Sequence, residues 1–158
     1  MSPLQARNPN EDDQGLEQQH GQMHEGVLTE IDHVGIAVHD LDAAIDWYRQ
    51  MFGCTVAHRE FIHSDGVEEA LIKVADSYIQ LLKPVTDESP LAKFMAKNGE
   101  GLHHVGYRVD STAEVLESVK AEGARVVDEH PRTGSRGTTV AFLHPKTSFG
   151  TLIELVEE

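Results

Sequence analysis

The order of apolar and polar positions along the chain predicts short strands separated by helices. Within the stretch 31–38, the bulky residues Val34, Ile36 and Val38 alternate with His33 and the small residues Gly35 and Ala37. Residues two apart share one face of a strand, so one face suits packing beneath a helix and the other suits a cavity wall. Between Asp40 and Gly53 apolar residues recur at helical spacing. Because Asp caps helix starts and Gly ends helices, we predict a helix at 41–52.

The same two patterns continue along the chain and divide it into similar halves. In the first half they predict strands at 31–38, 54–62, 67–74 and 78–83. A connecting segment, 84–101, contains a short helix at 90–97, because Ser89-Pro90 is a typical helix start. In the second half they predict a helix at 111–123, a loop at 131–137, and strands at 102–109, 125–128, 138–143 and 151–156. Each half is therefore predicted to be a β-α-β-β-β module.

Two pairs of strands indicate that the halves are repeats. The stretch LHHVGYRV in the second module is nearly a copy of IDHVGIAV in the first, and it aligns His104 with His33. The stretch LIELV near the end of the second module matches YIQLL in the first, and it aligns Glu154 with Gln80. Each module thus has one histidine near its start and one Gln or Glu near its end. Repeats of this kind determine the architecture.

Composition and charge narrow the class of protein. The 158 residues are 39% hydrophobic, which is enough for a packed core. A net charge of −14 argues against binding to bulk nucleic acid, which needs a basic surface. The single cysteine, Cys54, leaves no internal disulfide, and we find neither a membrane-length apolar run nor a signal peptide. We therefore expect a cytoplasmic protein without nucleic-acid or membrane partners.

The polar N-terminal stretch differs in composition from the remainder of the chain. Residues 1–26 have few large apolar groups and cannot bury enough surface to offset the entropy of ordering, so we predict a disordered extension. His20 and His24 in this stretch lack a helix that would present them as a metal pair. The folded domain is predicted at 27–158, with module one at 28–83 and module two at 102–157.

Four residues at matching places in the repeats form a candidate metal site, namely His33, Gln80, His104 and Glu154. Strand alternation and a pseudo-two-fold pairing of the modules would bring them together. Two imidazoles and two oxygen donors suit one divalent ion, such as Co, Mn, Ni, Zn or Fe. A lone histidine in a strand is more often a hydrogen-bonded core residue, but two matched pairs favour a ligand set. His103 should point to the opposite face of its strand from His104.

Several stretches together resemble the vicinal-oxygen-chelate, or glyoxalase-like, superfamily and, within it, the methylmalonyl-CoA epimerases. They are IDHVGIAV, WYRQMFG, GVEEALIKV, YIQLLKP, KNGEGLHHVGYRV and FLHPKTSFGTLIEL. The resemblance covers residues 28–157. It implies an α+β fold in which two βαβββ modules form a curved mixed sheet around a metal cavity. It also implies an acyl-CoA substrate and a homodimer.

The resemblance assigns roles to individual residues. The family's metal ligands correspond to the four residues of the candidate site, and its catalytic acid corresponds to Glu69. The segment between Glu69 and Gln80 is shorter than in some relatives, which leaves Glu68 as the alternative acid. Strand alternation favours Glu69, because Glu68 would point to the opposite face.

The implied reaction interconverts (2R)- and (2S)-methylmalonyl-CoA by moving the weakly acidic C2 proton through a metal-stabilised enolate. A base is needed on each side of the planar enolate, and Glu69 is predicted to be one of them. The second is either Glu154 or a water on the metal. Charged partners are also needed for the phosphates of CoA, and the candidates are Arg132, Arg136, Lys83 and Lys146. Arg108 shares a strand face with His104, where it would meet either the substrate carboxylate or an acid at an interface.

Other functions are known on the same scaffold, and fold alone does not separate them. A glyoxalase I-type isomerase is the main alternative. An extradiol dioxygenase is another, but dioxygenases of this scaffold typically use two His and one Glu, so Gln80 argues against it. A non-catalytic drug-binding or resistance protein often lacks the full ligand set, and the set is complete in this sequence.

Overall fold

The structure, a computed structural model, describes residues 26–158, so the predicted extension with His20 and His24 lies outside the described residues except for Gly26. The described part forms eight strands and three helices. They are β1 (Glu30–Ala37), α1 (Leu41–Phe52), β2 (Val56–Ile62), β3 (Val67–Val74), β4 (Ser77–Pro84), α2 (Pro90–Asn98), β5 (Gly101–Arg108), α3 (Thr112–Ala121), β6 (Arg132–Thr133), β7 (Thr139–Leu143) and β8 (Ile153–Glu157). Single-turn 3₁₀ helices at Ser135–Gly137 and Pro145–Thr147 flank β7. Within 26–158, no helix is both long and apolar enough to cross a bilayer.

The eight strands of this region form one curved mixed sheet in the order β2-β3-β4-β1-β5-β8-β7-β6. This order is symmetric about the antiparallel pair of β1 and β5, because β1 pairs in parallel with β4 just as β5 pairs in parallel with β8. Each half of the sheet is one module. The predicted α+β architecture of two paired βαβββ modules is therefore confirmed.

Helices α1 and α3 pack against the outer face of the sheet. Asp40 caps α1 by accepting a hydrogen bond from the Ala43 amide at 3.0 Å, and the helix ends at Gly53, whose left-handed φ of 67° suits glycine. Leu41 and Ile45 of α1 pack against Leu81 of β4. In the second module Leu116 of α3 packs in the same way against β7 and β8. Because side chains alternate along a strand, the neighbours of these outer residues point to the inner face.

The segment between α3 and β7 differs from the sequence prediction. The predicted strand at 125–128 is wrong, because only one bridge, between Val126 and Leu143, forms there. The amides of Val127 and Asp128 both donate to the Phe142 carbonyl, and the Phe142 amide donates to the side chain of Asp128 at 2.8 Å, so the backbone pairing there is irregular. The two-residue strand β6 instead lies inside the predicted loop at 131–137. The chain thus reaches the sheet edge later than its hydrophobic pattern indicates.

Candidate metal centre and active site

The four predicted ligands are all buried and lie on four neighbouring strands, β1, β4, β5 and β8. His33 Nε2 lies 2.8 Å from His104 Nε2 and 3.2 Å from Glu154 Oε2. His104 Nε2 lies 2.9 Å from the same Glu154 oxygen. Three donor atoms from both modules therefore converge at one point, as the repeat predicted. Their role as ligands stays a prediction.

Two glycines make room for the two imidazole rings. In the β1–β5 pair, His33 lies opposite Gly106 and Gly35 lies opposite His104, with the Val34 and Val105 pair between them. A Cβ added at Gly106 would lie 2.3 Å from His33 Cε1, and one added at Gly35 would lie 2.3 Å from the same atom of His104. Each ring therefore occupies the space that a side chain on the opposite strand would fill. The repeated His-Val-Gly sequence is explained by this reciprocal packing.

Gln80 completes the candidate ligand set. Its amide nitrogen donates a hydrogen bond of 2.5 Å to Glu69 Oε2, while its Oε1 is buried and has no hydrogen-bond partner among residues 26–158. A buried carbonyl oxygen without a partner is costly, so this atom fits a role as a cation ligand. Two imidazoles, one carboxylate and this amide oxygen form a donor set suited to a divalent metal ion.

Asp32 holds His33 in place from the side opposite to the convergence point. Its Oδ2 lies 2.7 Å from His33 Nδ1, so Nδ1 carries a proton and Nε2 faces the other donors. Burial acts to lower the pKa of His33, but hydrogen bonds to Asp32 and Glu154 outweigh burial and raise it to about 9. Sequence reasoning missed Asp32, because an adjacent residue normally points to the other face. The register of β1 against β5 shifts at this residue, which turns its side chain towards His33.

His103 does not point away from the site, so the prediction of an opposite face is wrong. The register of β5 shifts between His104, which is opposite Gly35, and Leu102, which is opposite Ile36. The bulge turns His103 to the same side as its neighbour, and their Nδ1 atoms lie 2.9 Å apart. Burial, and then the charge of His104, lower the pKa of His103 to about 4. Burial likewise lowers the pKa of His104.

The predicted catalytic acid, Glu69, is fully buried beside Gln80. The hydroxyl of Ser135 donates a short hydrogen bond to Glu69 Oε1. Burial raises the pKa of Glu69 and outweighs the hydrogen bonds from Ser135 and Gln80, which act to lower it. Glu68 points the other way and pairs with Arg59 at 2.8 Å, so the predicted alternation is confirmed. Ser135 was missed by sequence analysis, because a serine in a glycine-rich loop carries no distinguishing pattern.

A cavity of about 350 Å³ opens beside these groups. Gln80, His104, Glu154 and Ser135 contribute to its polar wall. Its apolar wall comes from β2, β3, β4, α2 and β7 and from the loops beside them. Glu69 is not on the cavity surface but lies directly behind Ser135, one hydrogen bond away. The arrangement suits an organic substrate with one polar end placed at the convergence point.

The four side chains predicted to bind the phosphates of CoA differ in whether they line the cavity and in whether they already pair with an acid. Arg132 lines the cavity, where its Nε donates to Asp128 at 3.2 Å and its Nη1 lies 2.8 Å from Asp65 without the alignment of a hydrogen bond. Arg136 points inward and pairs with buried Asp32, so it is not available to an external phosphate. Among the described residues, Lys83 and Lys146 form no ion pair and do not line the cavity.

Arg108 meets acids of its own chain. Its guanidinium lies 2.6 Å from Asp32, 2.7 Å from Glu30 and 3.1 Å from Glu158. The prediction offered a substrate carboxylate or an acid at an interface, whereas these three acids belong to the same chain. Arg108 does not line the cavity, and its contact with a substrate carboxylate stays a prediction.

Comparison with known proteins agrees with this geometry. A family model described as the Glyoxalase/Bleomycin resistance protein/Dioxygenase superfamily matches residues 32–142. The ethylmalonyl-CoA/methylmalonyl-CoA epimerase of Cereibacter sphaeroides is 37% identical, over 82% of this chain and 98% of that protein. The mitochondrial methylmalonyl-CoA epimerase of Dictyostelium discoideum is 35% identical, over 83% of this chain and 80% of that protein.

Comparison with solved structures also finds methylmalonyl-CoA epimerases. A methylmalonyl-CoA epimerase in complex with methylmalonyl-CoA and NH4+ is 43% identical, with a TM-score of 0.80 over 83% of this chain and 95% of that chain. The chain therefore belongs to the Glyoxalase/Bleomycin resistance protein/Dioxygenase superfamily and, within it, to the methylmalonyl-CoA epimerase family of enzymes.

Proposed function

We propose that this chain interconverts (2R)- and (2S)-methylmalonyl-CoA by removing the C2 proton and returning a proton to the opposite face. The observation that carries the proposal is the buried carboxylate of Glu69, which is hydrogen-bonded to Gln80, on the same sheet face as the three converging donors of His33, His104 and Glu154. The unpartnered oxygen of Gln80 would add a fourth donor. Relatives named as epimerases of this substrate and of ethylmalonyl-CoA support the same reaction.

One divalent ion would be held by His33, Gln80, His104 and Glu154. This donor set suits Co, Mn, Ni, Zn and Fe alike. When bound, such an ion supplies a Lewis acid that stabilises negative charge developing on the substrate. The chain itself holds the donor atoms in a fixed arrangement. Asp32 fixes the ring of His33, and the two glycines fix the distance between the rings, so the donors are held in place before substrate enters.

Glu69 is proposed as the base that takes the C2 proton. The hydroxyl of Ser135 and the amide of Gln80 each bond one of its oxygens, so the orientation of the carboxylate is fixed. Because Glu69 lies one hydrogen bond behind the cavity wall, the C2 proton would reach it through Ser135, whose hydroxyl would give its own proton to Glu69 as it accepts the one from C2. Glu154 is proposed as the second proton-transferring group, because it faces the cavity from β8 whereas Glu69 comes from the other module.

The proposal is tested by deuterium incorporation at C2 of methylmalonyl-CoA in heavy water. We expect the metal-loaded protein to exchange the C2 proton, and chelation to abolish exchange. Glu69→Gln should slow exchange by roughly 10²–10⁴-fold, the usual contribution of a general base. Glu68→Gln is the matched control, because its carboxylate lies on the other face of the same strand and should leave the rate unchanged.

Two other results of these assays would each reject one part of the proposal. Exchange that survives Glu69→Gln would keep the reaction and reject Glu69 as the base. A metal-loaded protein that exchanges no C2 proton but isomerises a hemithioacetal would reject the epimerase in favour of a glyoxalase I-type enzyme. The homodimer implied by the family resemblance is proposed as well, and sedimentation equilibrium of the purified protein tests it.

A further inference from the structure

The 3₁₀ turn at Ser135–Gly137 contains a residue in an unusual conformation. Arg136 has φ 57° and ψ 22°, in the left-handed region that residues other than Gly, Asn and Asp seldom adopt. Such a conformation persists only when surrounding contacts hold it, and it often accompanies a functional constraint. The contacts of Arg136 indicate what that constraint is.

The side chain of Arg136 reaches the support of a candidate metal ligand. Its Nη2 lies 3.0 Å from Asp32 Oδ2, which is the oxygen that accepts the hydrogen bond from His33 Nδ1. Arg108 binds mainly the other oxygen, Oδ1, at 2.6 Å. The guanidinium of Arg136 also lies over the ring of Tyr78, 4.6 Å from the ring centroid, and its side chain is only 17% exposed. Arg136 is therefore fixed on the oxygen that orients His33.

The same turn also contacts the proposed base and the residue opposite it on β2. The amide of Arg136 donates a hydrogen bond of 2.7 Å to Glu60 Oε1, and Glu60 lies opposite Glu69 in the β2–β3 pair. The preceding residue, Ser135, donates its hydroxyl to Glu69. The left-handed conformation allows one short turn to point Ser135 at Glu69 and the Arg136 side chain at Asp32. Glu69 on β3 and Asp32 on β1 are thus joined through one turn, by its adjacent residues Ser135 and Arg136.

We propose that Arg136 is a positioning residue that, through Asp32, sets the orientation of His33 relative to Glu69. This inference extends the proposed function, because it assigns a role to a cation that the sequence pointed towards CoA phosphate. Groups that orient a metal-binding histidine typically contribute 10–100-fold to metal affinity or activity. The guanidinium is therefore expected to contribute through the geometry of the site and not through contact with substrate.

The test uses Arg136→Gly, because glycine adopts the left-handed conformation without strain and should preserve the turn while removing the guanidinium. We expect Co²⁺ affinity, measured by titration of the purified metal-free protein, to fall 10–100-fold. The hydrogen-bonded Nδ1 proton of His33 should shift or broaden in the NMR spectrum of the metal-free protein. In the exchange assay kcat should fall while KM changes less than about threefold, as expected for a group that does not contact substrate.

Two further variants separate positioning from general effects. Arg136→Lys keeps the charge without the planar fork, so it should restore Co²⁺ affinity only in part. Ala75→Gly relieves another left-handed residue, with φ 50° in the turn between β3 and β4, and should leave affinity and the His33 signal unchanged. Wild-type Co²⁺ affinity and an unchanged His33 signal in Arg136→Gly would overturn the inference. If the wild-type protein does not exchange the C2 proton, the proposed function fails. Co²⁺ affinity and the His33 NMR signal would still test the role of Arg136.

Discussion

Substituting alanine for Gly106 tests the reciprocal packing of the two imidazole rings. The new Cβ would lie 2.3 Å from His33 Cε1, 2.6 Å from Nδ1 and 2.8 Å from Nε2, whereas ordinary contacts begin at 3.4 Å. The ring would have to retreat by about 1 Å, but Asp32 and Glu154 hold it at both nitrogens. Overpacking of this kind typically costs ~1–3 kcal/mol of unfolding free energy.

The gain in stability from replacing a glycine by alanine, which opposes this overpacking cost, is small. Alanine is favoured over glycine in a strand by ~0.5–1 kcal/mol, because glycine loses more conformational freedom on folding. Gly106→Ala should therefore destabilise the protein by about 0–2.5 kcal/mol in the presence of the His33 ring, the range left when the gain is set against the overpacking cost. In a His33→Ala background the clash is absent, and the same substitution should be neutral or stabilising.

A double-mutant cycle measures this difference directly. Urea unfolding of the wild type, both single variants and the double variant gives the coupling energy between Gly106 and His33, which we expect to be ~1–3 kcal/mol. Unfolding is measured in metal-free protein, so that loss of a bound ion does not contribute. An equal cost of Gly106→Ala in both backgrounds would refute the packing argument, since the cost would then have nothing to do with the ring.

Three further outcomes follow from the fold and the site. Leu116→Ala, at a fully buried position of α3, should reduce the free energy of unfolding by ~2–5 kcal/mol, while the exchange rate per folded molecule stays constant. Asp40→Ala removes the cap of α1 and should cost ~1 kcal/mol in the same measurement, whereas the exposed Asp46→Ala should cost less. Co²⁺ at one hundred times its dissociation constant should add about 2.7 kcal/mol to stability in the wild type, seen as a higher Tm, and His104→Ala should abolish most of this gain.

The sequence predicted those parts of the site that follow from strand periodicity. The four candidate ligands and the choice of Glu69 over Glu68 depend only on the repeat and on which face of a regular strand a residue occupies, and the structure places these side chains as expected. Such positions are set by local geometry, which a single sequence reveals.

The failures occur where the strands are irregular or where contacts span the chain. His103 was assigned to the wrong face because β5 bulges next to it, and Asp32 was missed because β1 shifts its register there. A bulge moves one residue across a strand without any change in hydrophobic pattern. Ser135 reaches Glu69 across 66 positions of sequence, and no periodicity links residues so far apart. These are contacts of tertiary structure, which a pattern of neighbours does not encode.

The paired His-Val-Gly segments of β1 and β5 have a consequence for how the site arose. Because they run antiparallel with Val34 opposite Val105, each strand offers a ring and a gap in the order that the other requires. Such a strand is self-complementary, so two identical copies related by a two-fold axis would fit together without modification. A single ancestral module could therefore have built both halves of the imidazole pair as a dimer. In this chain the two copies differ at the position before the shared histidine, with Asp32 beside one ring and His103 beside the other.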